Sequence, residues 1–164
     1  MNITVSETIN APLDRVFAVA SDIPNCASFI KSIETIETLN EAPLAPDNIG
    51  PVGKGYTWRE TRIMFGKVAT EDMTITQWSP STGYIVEARS HGSHYLSSFT
   101  FESVENQDAN PSTRMTMSFT GTPETFMAKV MMKVFTKLFK KLTVKLTTCL
   151  EDDLRDIKIA AELD

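Results

Sequence analysis

Cysteine is scarce in this sequence. The 164 residues hold two, Cys26 and Cys149, far apart and outside any Cys-x-x-Cys pair. That excludes a disulfide scaffold and a cysteine-rich zinc site, and it predicts two small buried or half-buried apolar groups in a reducing compartment. Histidine is as rare, with only His91 and His94. Long apolar runs are missing too: no stretch approaches the ~18 residues needed to span a bilayer. The first residues, Met-Asn-Ile-Thr-Val-Ser, carry neither a basic nor an apolar leader segment, so no signal peptide is expected and the cytoplasm is the default location. There is no phosphate-binding glycine loop, no dinucleotide fingerprint, no His-Glu-x-x-His and no Gly-x-Ser-x-Gly. No cofactor and no metal are therefore expected. A formal net charge of −5 argues against nucleic acid as a partner, because phosphate binding calls for a basic surface.

What remains is the composition of an ordinary globular protein, 41% hydrophobic and 23% charged. The length predicts one domain over residues 1–164 with one real core. Ile3, Val5 and Ile9 alternate with Thr4, Ser6 and Thr8, which predicts a strand with one buried face. Pro12 and Asp14 then open a short helix ending near Asp22-Ile23-Pro24. A second short helix is predicted from Pro24 to about Ile30, and an edge-like strand from Lys31 to Leu39. Residues 40–53, with three prolines and two glycines, read as a loop. Five strands should follow: Tyr56 to Phe65, Val68 to Trp78, Tyr84 to about Ser90, Tyr95 to Val104 and Thr113 to Gly121. Turn residues separate them, as antiparallel meanders require.

From Glu124 to about Ala161 there is neither proline nor glycine. Val130, Val134, Leu138, Leu142, Leu146, Leu150 and Leu154 recur every four residues, the mark of an amphipathic helix. A straight helix of that length would run roughly 55 Å, more than a small domain needs. It must bend, break or overhang. The fold class is therefore α+β: a curved antiparallel sheet of about seven strands around a long C-terminal helix.

Particular residues carry a resemblance. Ile9-Asn10-Ala11-Pro12-Leu13-Asp14-Arg15-Val16-Phe17 with Asp22, Val52-Gly53-Lys54-Gly55-Tyr56, and Gln77-Trp78-Ser79-Pro80 resemble the opening strand and helix, the lead-in to the third strand and a later turn of the START-related, birch-pollen-allergen-like (SRPBCC) superfamily. The polyketide cyclase/dehydrase-like branch is the most similar. The resemblance covers nearly the whole chain and implies a helix-grip fold with an internal cavity. It does not choose among carriers, receptors, cyclases and hydroxylase subunits.

A helix laid across a curved sheet leaves a gap unless side chains fill it. Tyr56, Trp58, Met73, Tyr95, Phe99, Met115, Met117, Phe119, Met131 and Phe135 are the residues expected around it, and Met and aromatic side chains suit an irregular apolar ligand. The bland alternative is a filled core. Period two places Glu60 and Arg62 on the face of Tyr56 and Trp58, where they either bind a polar ligand group, move a proton, or form an ordinary salt bridge at the rim. Glu87 and Arg89 repeat that spacing on another strand. His94, beside a turn, is a weak candidate for a general base at the cavity entrance. Lys129, Lys133, Lys137, Lys141 and Lys145, with Lys140, form a basic stripe. It reads as solvated helix surface or as a contact for an anionic membrane or an acidic protein. Glu151, Asp152, Asp153 and Asp156 follow, and could pair with those lysines in a homodimer.

The leading expectation is a carrier or sensor of a hydrophobic, lipid- or polyketide-like molecule. The alternatives are a cyclase/dehydratase-like enzyme using Glu60, Arg62 or His94, and an interaction module using the lysine face. Whether the chain is an enzyme is open at this point.

Overall fold

A computed structural model describes residues 1–104, 110–134 and 136–163, and the side chains of 131–139 lie outside that description. Seven strands form one antiparallel sheet: β1 (Asn2–Ile9), β2 (Ile33–Asn40), β3 (Thr57–Met64), β4 (Lys67–Ser79), β5 (Gly83–Ser90), β6 (Ser93–Val104) and β7 (Ser112–Pro123). Their order is β1-β7-β6-β5-β4-β3-β2. The chain thus starts at one edge, crosses to the other through helix α1 (Leu13–Ala20) and a 3-10 turn (Ile23–Ser28), and meanders back. The edge character expected near Lys31–Leu39 is found in β2, whose outer positions are mostly exposed and polar. Such charges protect a strand edge from pairing with other chains. Register shifts in β2 and between Ile75 and Gln77 of β4 bend the strands locally and help curve the sheet.

The two-residue turn between β3 and β4 falls one position earlier than the sequence spacing places it. Phe65 and Gly66 form it, with φ of 56° and 77°, while Lys67 already pairs with Met64. A hairpin turn of this hand needs positive φ at both positions and normally takes Asn-Gly. Phenylalanine there is a backbone outlier.

The C-terminal segment is helical on both sides of residue 135, which lies outside the described residues. Its described parts are α2 (Phe126–Val134) and α3 (Thr136–Glu162). At 27 residues, α3 runs about 40 Å. Its last turns are locked down. Leu154, Ile157 and Ala161 are buried. Arg15 Nε donates to the Ala161 carbonyl at 2.6 Å, and Lys158 Nζ donates to Glu7 and to the Thr8 carbonyl, both at 2.8 Å. These bonds tie the helix end to β1 and α1.

The core fills the same end of the molecule. Ile9, Val16, Phe17, Tyr56, Ile75, Phe101 and Met115 are buried there. Phe17 meets Phe101 and Trp78 with ring centroids 5.2 Å apart in both cases. Contacts of this tilted kind add to the stabilisation from area burial.

Candidate functional site

Beyond that packed layer the sheet and α3 diverge. Between them lies a cavity of about 390 Å³. Its boundary follows the alternation of each strand. On β3, Trp58, Glu60, Arg62 and Met64 line the cavity, while Tyr56, two residues earlier, is core. On β4, Met73 and Glu71 line it and Ile75 is core. On β6, Tyr95, Ser97 and Phe99 line it and Phe101 is core; on β7, Phe119 and Met117 line it and Met115 is core. The roof is the leucine stripe of α3, with Leu142, Leu146 and Leu150, together with Cys149 and Asp153.

Of the ten apolar residues expected around a pocket, six stand in the wall: Trp58, Met73, Tyr95, Phe99, Met117 and Phe119. Tyr56 and Met115 do not. Tyr56 stacks behind Trp58 with ring centroids 5.7 Å apart, and its hydroxyl bonds to Thr38 Oγ1 at 2.7 Å. Met115 is fully buried in the closed end. Phe135 and the Met131 side chain fall outside the described residues. Tyr84, Val86 and Ala88 of β5, outside the set expected from the sequence, also line the cavity. Tyr84 stacks on Phe99 at 4.5 Å, and its hydroxyl donates to the Ala20 carbonyl at 2.6 Å. Burial, in a site lacking compensating charge, holds that phenol far above its ordinary titration range.

The polar residues are concentrated. Arg62 Nε donates to Glu60 Oε1 at 2.7 Å, and Arg62 Nη1 donates to Asp153 Oδ2 at 2.9 Å. Ser32 Oγ donates to Asp153 Oδ1 at 2.8 Å, and Trp58 Nε1 points at Glu60 Oε2 at 3.4 Å. Both carboxylates are buried. Desolvation alone would lower the Arg62 pKa, but Glu60 and Asp153 outweigh it and the net shift is upward. The guanidinium is therefore fixed in its charged form. Glu71 faces the same space directly across the ladder from Glu60, and no described residue pairs with it. Three carboxylates and one guanidinium thus share this end of an otherwise apolar cavity.

The other expected polar candidates lie elsewhere. Since Tyr84, Val86 and Ala88 face inward, Glu87 and Arg89 point to the opposite face of the sheet. Glu87 pairs there with His94 at 2.8 Å and accepts from Thr76 at 3.0 Å. The His94 and Thr76 hydrogen bonds hold the Glu87 carboxyl below its usual range. His94 therefore faces away from the cavity, on the other side of the sheet. The acidic run of α3 also has partners inside the chain. Asp153 holds Arg62, and Asp156 accepts from Lys31 Nζ at 2.7 Å and from the Lys31 amide at 3.0 Å. Asp152 bonds Arg155. These three are not spare charges for the lysines of a second copy.

Both cysteines border the cavity. Burial, with a further push from Glu60, raises the Cys26 thiol to about 12. Burial and Asp153 raise Cys149 as well. Neither thiol is set up as a nucleophile.

Relatives share this architecture at low sequence identity. No curated protein matches the sequence. Among solved structures, TTHA0849 from Thermus thermophilus is 16% identical with a TM-score of 0.67, the match covering 99% of this chain and 100% of that one. The di-domain ARO/CYC BexL from the BE-7585A biosynthetic pathway is 12% identical with a TM-score of 0.68, over 99% of this chain and 51% of that chain. Ara h 8.0201 is 14% identical with a TM-score of 0.57, over 98% and 97%. These likenesses establish the helix-grip fold. The sequence itself matches the family described as polyketide cyclase / dehydrase and lipid transport over residues 1–151. The chain belongs to that family, within the SRPBCC superfamily.

Proposed function

We propose that this protein binds a hydrophobic small molecule, lipid- or polyketide-like, in the cavity between sheet and α3, and acts as a carrier or sensor. The observation that carries this reading is the unfilled space itself. A core packed to ordinary density leaves few voids larger than a water molecule, whereas about 390 Å³ lies open here beneath Leu142, Leu146 and Leu150. That volume is within the usual range of small-molecule sites.

The polar end of the cavity narrows the ligand class. Glu60, Glu71 and Asp153 outnumber Arg62, so a ligand carboxylate would meet net negative charge in a poorly solvated place. A neutral or cationic head group fits that end; a fatty acid anion does not.

A cyclase or dehydratase is the second reading. It draws on the family and on the fact that Glu60 and Arg62 border the cavity. Against it, Glu60 already accepts from Arg62 and faces the Trp58 indole, which leaves it poorly placed to move a proton.

Titration with the apolar fluorophore N-phenyl-1-naphthylamine tests the leading reading. Trp58→Ala removes a large part of the apolar wall and is expected to weaken uptake roughly tenfold or more. Unchanged affinity in a folded variant would remove Trp58 from the site.

A further inference from the structure

Phe65 both lines the cavity and is 39% exposed. The cavity therefore reaches the surface at the β3–β4 turn. Ala128 of α2 borders the same space, so α2 and the turn form two lips of one mouth. Both lips carry exposed apolar side chains: Phe65 at the turn, with Val68 (65%) on the outer face of the same hairpin, and Phe126 at 78% and Met127 at 67% on α2. The turn holds its phenylalanine at positive φ, a position where asparagine or glycine would be easier. Basic residues accompany them. Lys67 adjoins the turn, Lys129 lies on α2, and Lys145 Nζ stands 5.5 Å above the Phe65 ring. A shallow apolar groove at Val144, on the side of α3 turned away from Leu142 and Leu146, is walled by Lys140, Lys141 and Lys145, and Lys145 joins it to the turn. In a chain of net charge −5, this is a segregated basic and apolar rim, while the acidic residues of α3 lie toward its other end.

We infer that this rim docks on an anionic lipid bilayer, with the cavity mouth facing the membrane. Exposed Phe, Met and Val side chains enter the head-group boundary, and the lysines face the lipid phosphates. Apolar burial combined with electrostatic attraction is how interfacial segments bind anionic surfaces. An acidic protein would pair with the lysines but gives no account of protruding apolar side chains on both lips. Docking in this orientation opens the cavity toward the acyl phase, so a hydrophobic ligand can pass between the two without crossing water.

Vesicle flotation tests this with the intact chain. Vesicles of phosphatidylcholine alone are compared with vesicles containing phosphatidylglycerol, at low and high salt. Binding is expected only with phosphatidylglycerol and is expected to fall with salt. Lys129→Gln, Lys140→Gln and Lys141→Gln together are expected to weaken it roughly a hundredfold. Phe126→Ser with Met127→Ser is expected to abolish stable binding even at low salt. All five residues are exposed, so uptake of N-phenyl-1-naphthylamine in solution should persist in both variants. That persistence separates a failure of docking from a failure of the cavity. No flotation with either vesicle, equal flotation with both, or flotation unaltered by the substitutions would overturn the inference.

Discussion

Arg62 on β3 and Asp153 on α3, 91 residues apart in sequence, are joined by a 2.9 Å hydrogen bond across the cavity wall. This bond fixes the helix over the sheet at the point where apolar packing between them gives out. With Glu60 it forms a buried ion triad whose members, among the described residues, bond to one another, Ser32 and Trp58.

Removing the central charge is expected to be costly. Arg62→Met leaves two carboxylates buried without their cation. Breaking a buried pair in this way typically destabilises by about 3–5 kcal/mol. Urea unfolding at neutral pH measures it. A loss below about 1 kcal/mol would mean the triad is as weak as a surface pair.

The same residues show how far the sequence could be read. The period of two on β3 put Trp58, Glu60 and Arg62 on one face, and they share the cavity wall. Nothing local says that Asp153 meets them, because that contact depends on how α3 crosses the sheet. On β5 the charged positions Glu87 and Arg89 repeat the spacing of Glu60 and Arg62, although Tyr84, Val86 and Ala88 alternate with them as an apolar set. An apolar alternation is the stronger sign of an inward face. Tyr56 and Met115 share the facing of the lining residues and still miss the cavity. Periodicity gives the face, not the depth at which packing ends. The helix pattern gave the stripe of Leu142, Leu146, Leu150 and Leu154 but not where along it the packed core ends.

That division of one stripe between core and cavity has energetic consequences. Leu154 is 2% exposed in the packed end, and Leu154→Ala is expected to cost about 3 kcal/mol through lost burial and the void left behind. Leu146 borders space that is already open, so Leu146→Ala should cost closer to about 1 kcal/mol. Paired thermal or urea unfolding decides. Equal losses would mean that the roof of the cavity is packed as tightly as the core.

Cys26 offers a test that depends on pH. Its thiol is raised from 9.0 to about 12 by burial and by Glu60. Below pH 9 it is protonated in both folded and unfolded chains, and the shift leaves stability unchanged. As pH rises from 9 toward 12 the unfolded chain loses the proton first, so stability falls across that window. Iodoacetamide at about pH 8 is expected to leave Cys26 of the native protein unmodified and to label it readily in urea. Rapid native labelling would contradict its assigned environment.

The carboxylate excess sets a ligand preference that competition can measure. Dodecylamine and dodecanol are expected to displace N-phenyl-1-naphthylamine at concentrations at least about tenfold lower than dodecanoate. Glu71→Gln should narrow the gap, since Glu71 is the carboxylate that no described residue neutralises. A preference for dodecanoate would reverse the electrostatic reading of the cavity.

Filling the void is the most direct test of the account. Leu146→Trp combined with Ala88→Leu places bulk on the roof and the floor of the same space. The binding isotherm of N-phenyl-1-naphthylamine is measured for both proteins, with unfolding curves to verify the fold. Wild-type protein is expected to take up one saturable equivalent, and the filled variant, still folded, little or none. Equal uptake by the two would place the binding elsewhere and contradict the account.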